Sequence, residues 1–312
     1  MTARLTFIHA LSPLHAGTGQ GIGVIDLPIA REKATNIPYL PGSSLKGAIR
    51  DCHTNQLFDK YFKELQDEKE ARKKADQEAA RIFGEAASEQ AYAGSAVFSD
   101  QQLLLLPARS LRGTFAWATS PYTLQRFKRD AEGAGVDVAG LSDLPEITDT
   151  ACLVAQEKSD LTDEKQQVFL EDFDLQGKTD PAVDTWASFI GGKVFEDEKW
   201  RKELKARFCV LSDNVFNFLL EHGTEITARI RLEEQTKTVA SGALWYEEAL
   251  PAETILSGLL VAVKGKAAPK EVFETIDDIL TRHKVVQLGG KATVGRGLCS
   301  ISLDNDGKGA AE

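Results

Sequence analysis

The chain has 312 residues, of which 42% are hydrophobic and 27% charged, a balance that fits a globular chain with a sizeable core. No apolar run approaches the roughly 18 residues that span a bilayer, and the opening MTARLTFIHALSPLHAG is too polar for a signal peptide, so a cytoplasmic chain with no membrane partner is expected. The net charge of −10 argues against nucleic-acid binding by the molecule as a whole, but residues 157–184 carry nine acidic and three basic residues and hold more than half of that excess. The remainder is near neutral, with local basic clusters, and one basic groove suffices for a polyanion. Cys52, Cys152, Cys209 and Cys299 are far apart with no CxxC, and the five histidines form no HExxH, which excludes a zinc knuckle or a zincin site.

Arg4 to Leu11 alternates as a first strand. Gly17, Gly19, Gly21 and Gly23 then allow a tight bend or close approach to a ligand. Gly42-Ser43-Ser44 offers an N-cap, and LKGAIRDCHTNQLF continues as a helix. Phe58 to Phe83 is charge-rich and reads as a solvent-exposed helical insertion. VFSDQQLLLLPAR reads as one buried strand ended by Pro107, and Asp130 to Asp184 as an acidic, loop-rich excursion, partly disordered. EITARIRL, Glu225 to Leu232, alternates as a strand, with a hairpin tip over Glu233 to Ala243. A strand at Ser257–Val263, an amphipathic helix at Lys270–Lys284 and the glycine-rich Gly289–Leu303 complete the chain. A strand–helix near the start and a strand–helix–strand at the end predict an α+β, split βαβ, ferredoxin-like core with insertions in the middle.

Three stretches can carry chemistry. In PGSSLKGAIR, free N–H groups at a helix start, Ser43, Ser44 and the i,i+4 pair Lys46 and Arg50 fit a phosphate cradle, and more simply a capped helix with two solvated cations. It is not a Walker A loop. GGKATVGRG, with Lys291 and Arg296, is a glycine-rich turn without dinucleotide spacing; together the two loops are expected to line one face of the sheet along a nucleic-acid backbone. Asp26, alone in GVIDLP, is a turn residue or, beside a phosphodiester, a holder of a divalent cation or a proton acceptor. His15 is its proton-transfer partner or a packed loop histidine.

HALSPLHAGTGQGIGVIDLPIARE, IPYLPGSSLKGAIRD, FSDQQLLLLPARSLRGTFAWATSPYTLQRF, EQTKTVASGALWYEEALPAETIL and GGKATVGRG occur in order over nearly the whole chain. Together they resemble the RAMP superfamily and, within it, the backbone subunits of Type III-B CRISPR effectors, the Cmr complexes. The resemblance implies a modified RRM-like palm with helical insertions and a β-hairpin thumb. It implies a single RAMP domain over 1–312, with core at 1–56 and 210–305, insertions at 57–209 and the thumb at 228–248. It implies copies stacked along crRNA with other Cmr subunits, thumbs that flip bases of the target RNA, and one cut per copy by an endoribonuclease using Mg²⁺ or Mn²⁺. The catalytic residues so implied are Asp26, which also takes the metal, His15, and in the WYEE block Glu247 or Glu248. Ser43, Ser44, Lys46, Arg50, Lys291 and Arg296 are expected to bind RNA, and Val239 and Ala240 to form the wedge. The alternatives are a non-catalytic crRNA-binding filament subunit and a standalone crRNA-processing enzyme; the latter usually has two RRM-like halves, and no internal repeat is seen here.

Overall fold

The computed structural model describes residues 2–18, 25–85, 91–155, 159–236 and 238–304. Gly19, Gly21 and Gly23 of the first glycine run, and Glu157 at the head of the acidic window, lie outside these residues. The chain begins β1 (Thr2–Ala10), α1 (Gly42–Leu65), α2 (Glu68–Phe83), β2 (Gln101–Arg109), β3 (Phe115–Thr119) and α3 (Pro121–Gly133). It continues β4 (Ala151–Val154), β5 (Gln167–Leu170), β6 (Phe173–Thr179), α4 (Pro181–Val194), α5 (Glu198–Ala206), β7 (Phe208–Leu211) and α6 (Asp213–His222). Last come β8 (Glu225–Leu232), β9 (Val239–Ala249), β10 (Ile255–Ala262), α7 (Pro269–Arg282) and β11 (Leu298–Leu303).

The main sheet runs β11-β1-β10-β2-β3-β7-β4-β6-β5, with the short strand Val286–Gln287 outside β11. β1 is antiparallel to both β10 and β11, and β10 is antiparallel to β2. Two βαβ units, β1-α1-β2 and β10-α7-β11, therefore interlock in the ferredoxin-like order expected from the sequence. One boundary moves. β2 lies inside the segment assigned to the insertion, so the palm is not confined to 1–56 and 210–305. The single strand expected over VFSDQQLLLLPAR is two, Ala96–Phe98 and β2, and β2 continues through Pro107 to oppose Trp117 of β3.

β1 is buried on both of its faces from Arg4 to Ala10. Ile8 and Ala10 join one core cluster with Leu45 and Ile49 of α1 and Ile276 and Ile279 of α7. Leu5 and Phe7 join a second with Phe127 of α3 and Trp186 of α4. Neither face of the palm sheet is left for a ligand, which corrects the expectation that the two glycine-rich loops line one.

Residues 134–150 of the acidic stretch form neither helix nor strand, as expected of a loop-rich segment, but its described residues also contain strands. β4, β5, β6 and the start of α4 occupy it, because its charges alternate with apolar residues: Val168, Leu170 and Leu175 are buried while Asp172 and Asp174 face water. The charged stretch Phe58–Phe83 is the end of α1 and all of α2. Gln66 stops α1 in the left-handed region at φ 54°, and Asp67 caps α2 by accepting from the Glu70 N–H. α2 buries Ala71, Ala75 and Ala79 at four-residue spacing, so small side chains let it pack closely on α1. The hairpin β8–β9 forms a two-stranded sheet of its own, as expected for a thumb. Among the described residues no helix is long and apolar enough to cross a membrane.

Candidate functional site

The loop after β1, the start of α1, the base of β9 and the loop before β11 converge on His15. The His15 ring is buried, its Nδ1 lies 2.7 Å from the Glu248 carbonyl, and its own carbonyl accepts from the Gly290 N–H at 2.9 Å. Glycine is required on two sides. A Cβ at Gly17 would sit 2.6 Å from His15 Nε2, and one at Gly289, where φ is +72°, would sit 2.3 Å from the His15 carbonyl oxygen. The two glycine-rich runs, some 270 residues apart in the chain, thus meet around one imidazole. Between them and the start of α1 opens a cleft of about 610 Å³ lined by Gly17, Ser43, Ser44, Gly289 and Gly290.

Asp26 is exposed. Its Oδ2 accepts from the Tyr246 N–H at 2.8 Å, and its second oxygen has no partner among the described residues. The next residue, Leu27, bridges Glu247 in parallel and accepts from the Glu248 N–H at 3.0 Å. Glu248 holds the same loop from beneath. Its buried carboxylate takes the Ile29 N–H at 3.0 Å, Arg31 at 2.6 Å and the Thr224 hydroxyl at 3.0 Å. The WYEE block of β9 is therefore the frame on which both Asp26 and His15 hang.

Glu247 is only 3% exposed and is fully occupied by Lys291 at 2.7 Å, Trp245 Nε1 at 2.8 Å and Arg229 at 3.3 Å. Burial pushes its carboxyl up, but the Lys291 and Trp245 hydrogen bonds and the charges of Lys291 and Arg229 outweigh that and hold it at about 2. Such a group anchors cations and is a poor proton acceptor at neutral pH, so the geometry assigns Glu247 a structural part. Two residues expected to meet RNA also turn inward: Lys291 is engaged by Glu247, and Arg296, 7% exposed, points at Glu225 (3.4 Å) and Thr227 (3.1 Å) at the thumb base.

The start of α1 differs. Pro41 occupies its cap position without a side-chain hydrogen bond, so Ser43 and Ser44 do not cap it; the Gly42 N–H goes instead to Asp100 at 2.8 Å. Ser43 is thereby left exposed at the cleft. Lys46 and Arg50, both half-buried, have no ion pair among the described residues. Burial, and then repulsion from Arg50, lowers the Lys46 pKa. Two close, partly dehydrated cations without a carboxylate are suited to an anion.

On the thumb, Val239 is 52% exposed, as a wedge requires, but Ala240 is buried at 6% and unavailable. The apolar atoms lie elsewhere. The exposed Ile226, Ile230 and Leu232 of β8 pair across to Glu248, Leu244 and Val239 of β9, so Leu244 and Tyr246 share their outer face. Sequence reading missed them because an alternating strand is ordinarily taken to bury its apolar side. Among the described residues no three His, Cys, Asp or Glu side chains are grouped to hold a metal ion, at Asp26 or elsewhere.

The model of the RAMP superfamily matches residues 7–300. The chain belongs to the RAMP superfamily. This RAMP chain is 37% identical over 318 aligned positions to the CRISPR system Cmr endoribonuclease Cmr4 of Pyrococcus furiosus, with 97% of this chain and 96% of that protein covered. It superposes on the crystal structure of oligomeric Cmr4 from the same organism with a TM-score of 0.70 at 29% identity, over 97% of this RAMP chain and 98% of that one. A chain in the cryo-EM structure of the Type III-B Cmr-beta bound to cognate target RNA has the same fold, with a TM-score of 0.69 at 23% identity and 97% of each chain covered.

Proposed function

We propose that this RAMP chain is the repeated backbone subunit of a Type III-B CRISPR effector, binding crRNA and cutting the complementary target RNA once per copy. The reading is supported by full-length similarity to an endoribonuclease of the Cmr system. Its chemistry is carried by one observation: Asp26 is held by the Tyr246 N–H and presents an uncommitted carboxylate oxygen to solvent. Lys46 and Arg50 hold crRNA phosphates, and Ser43 and Ser44 line the neighbouring cleft beside the glycine-rich loops. Base pairing supplies the sequence specificity, so the protein needs no base-reading side chains. The exposed apolar face of the thumb unstacks the target, and one linkage turns toward in-line geometry. The target 2′-hydroxyl then attacks the adjacent phosphorus, its proton passes to Asp26, and the P–O5′ bond breaks to leave a 2′,3′-cyclic phosphate and a 5′-hydroxyl protonated by water. The protein contributes positioning and charge stabilisation. His15, enclosed by glycines and tied to Glu248, sets the shape of the loop that carries Asp26.

With Asp26 as a protein ligand, Mg²⁺ or Mn²⁺ would be held together with RNA phosphates, as is usual for Mg²⁺; bound there, the cation would supply charge neutralisation at the phosphate. The test is cleavage of a 5′-labelled complementary RNA by the reconstituted complex, in Mg²⁺ and in EDTA, with wild type and Asp26→Asn. Asparagine keeps an oxygen for the Tyr246 N–H, so assembly survives. A regular ladder lost both in EDTA and in Asp26→Asn is expected. A ladder indifferent to Asp26→Asn would leave this chain as a non-catalytic crRNA scaffold.

A further inference from the structure

The helical hairpin α1–α2 has no part in the chemistry above, yet it carries an uncompensated charge. A groove of about 760 Å³ between the two helices is lined by Arg50, Lys69, Arg72 and Lys73 against two carboxylates, Asp76 and Glu85. In a chain of net charge −10 this is a local net +2. Lys69 and Lys73 are exposed and have no ion pair or hydrogen bond among the described residues, and Arg72 lies 3.9 Å from Asp76. The buried stripe Ala71, Ala75, Ala79 fixes α2 on α1 and so fixes these cations toward the groove.

We infer that this groove is a second phosphate track, which takes single-stranded RNA onward from the Lys46/Arg50 cradle; it rests on the RNA-binding reading above. Arg50 belongs to both surfaces, so a strand seated on the cradle enters the groove without leaving the protein. Lys69 and Lys73 are about 6 Å apart along the α2 axis, a spacing that suits successive backbone charges. Ala80 is the one apolar residue lining the groove, whose remaining apolar surface is the stems of long charged side chains rather than a pocket shaped for an aromatic anchor. A sugar-phosphate strand needs none.

The experiment is a salt titration of the full chain with fluorescein-labelled single-stranded RNA, comparing wild type, Lys69→Ala/Lys73→Ala and Lys46→Ala/Arg50→Ala. A single-strand contact adds about 0.7 to the slope of log K against log salt, so losing both lysines should flatten it by about 1.4 and weaken binding by roughly 25-fold at 0.1 M salt. An unchanged melting curve confirms that this variant is folded. Wild-type affinity and slope in Lys69→Ala/Lys73→Ala overturn the inference while leaving the proposed function standing. If that variant instead alters the salt dependence of self-association, the groove holds an acidic face of a second copy and the inference is equally overturned. Weakening by Lys69→Ala/Lys73→Ala but not by Lys46→Ala/Arg50→Ala also overturns the inference, because Arg50 belongs to both surfaces and the track would then not continue from the cradle. No salt-dependent binding by wild type rejects both.

Discussion

Glu248→Ala tests whether the Asp26 loop is held from within. The carboxylate is buried and accepts from the Ile29 N–H, Arg31 and the Thr224 hydroxyl, at 3.0, 2.6 and 3.0 Å. Removing it leaves the guanidinium of Arg31 with only the Asn36 and Leu220 carbonyls and no carboxylate, and leaves the buried Ile29 N–H without an acceptor. Breaking a buried pair in this way costs about 3–5 kcal/mol, which at roughly 2–4 °C per kcal/mol is a fall of roughly 6–20 °C in Tm. Glu248→Gln keeps the shape and one acceptor but loses the charge, and should cost about 1–3 kcal/mol. Thermal melting and urea unfolding of both variants are the assay, with target cleavage as a second readout, since release of Ile29 and Arg31 lets the loop bearing Asp26 shift. A loss below about 1 kcal/mol for Glu248→Ala would refute the argument, because the protein would then be re-satisfying these groups with water.

The remaining predictions concern the neighbours of that loop. The Glu247 carboxyl, held at about 2, contributes stability that is fully present above its unfolded value of 4.5 and is lost as pH falls toward 2; a melting series should show no Glu247→Gln difference in slope between pH 7 and 5 and a convergence of the two proteins between about pH 4.5 and 2. Gly289→Ala places a Cβ 2.3 Å from the His15 carbonyl oxygen at φ +72°, so it should destabilise by about 1–3 kcal/mol and depress cleavage, measured together by urea unfolding and the ladder assay. Ile230→Ser/Leu244→Ser removes apolar atoms that are already exposed, so Tm should stay within about 2 °C while the spacing or efficiency of the cuts changes; a normal ladder would show that the thumb's outer face does not touch the duplex.

Much of this protein is dictated locally. β1, α7 and the hairpin strands are readable from periodicity because each keeps a regular apolar pattern. Glycine content alone marks Gly17 and Gly289 as places of close approach. What local pattern cannot express is what covers a face. The acidic stretch Asp130–Asp184 reads as loop because its charges dominate composition, yet enough apolar residues alternate with them to add β4, β5 and β6 to the sheet. EITARIRL is legible as a strand, but only the fold reveals that its apolar side faces outward.

The candidate site divides the same way. Asp26, His15, Lys46 and Arg50 can be picked from the chain because their residue types and loop or helix-start contexts carry chemical meaning by themselves. The fate of Lys291, Arg296, Glu247 and Glu248 cannot, because a charge is available to a ligand only if no partner has claimed it. That is decided by Arg229 and Thr224, brought to Glu247 and Glu248 by the β8–β9 pairing, and by Thr227, brought to Arg296 where the hairpin meets the second glycine-rich loop. Residue type settles which charges exist; the tertiary structure settles which remain free, because pairing is a matter of distance and burial.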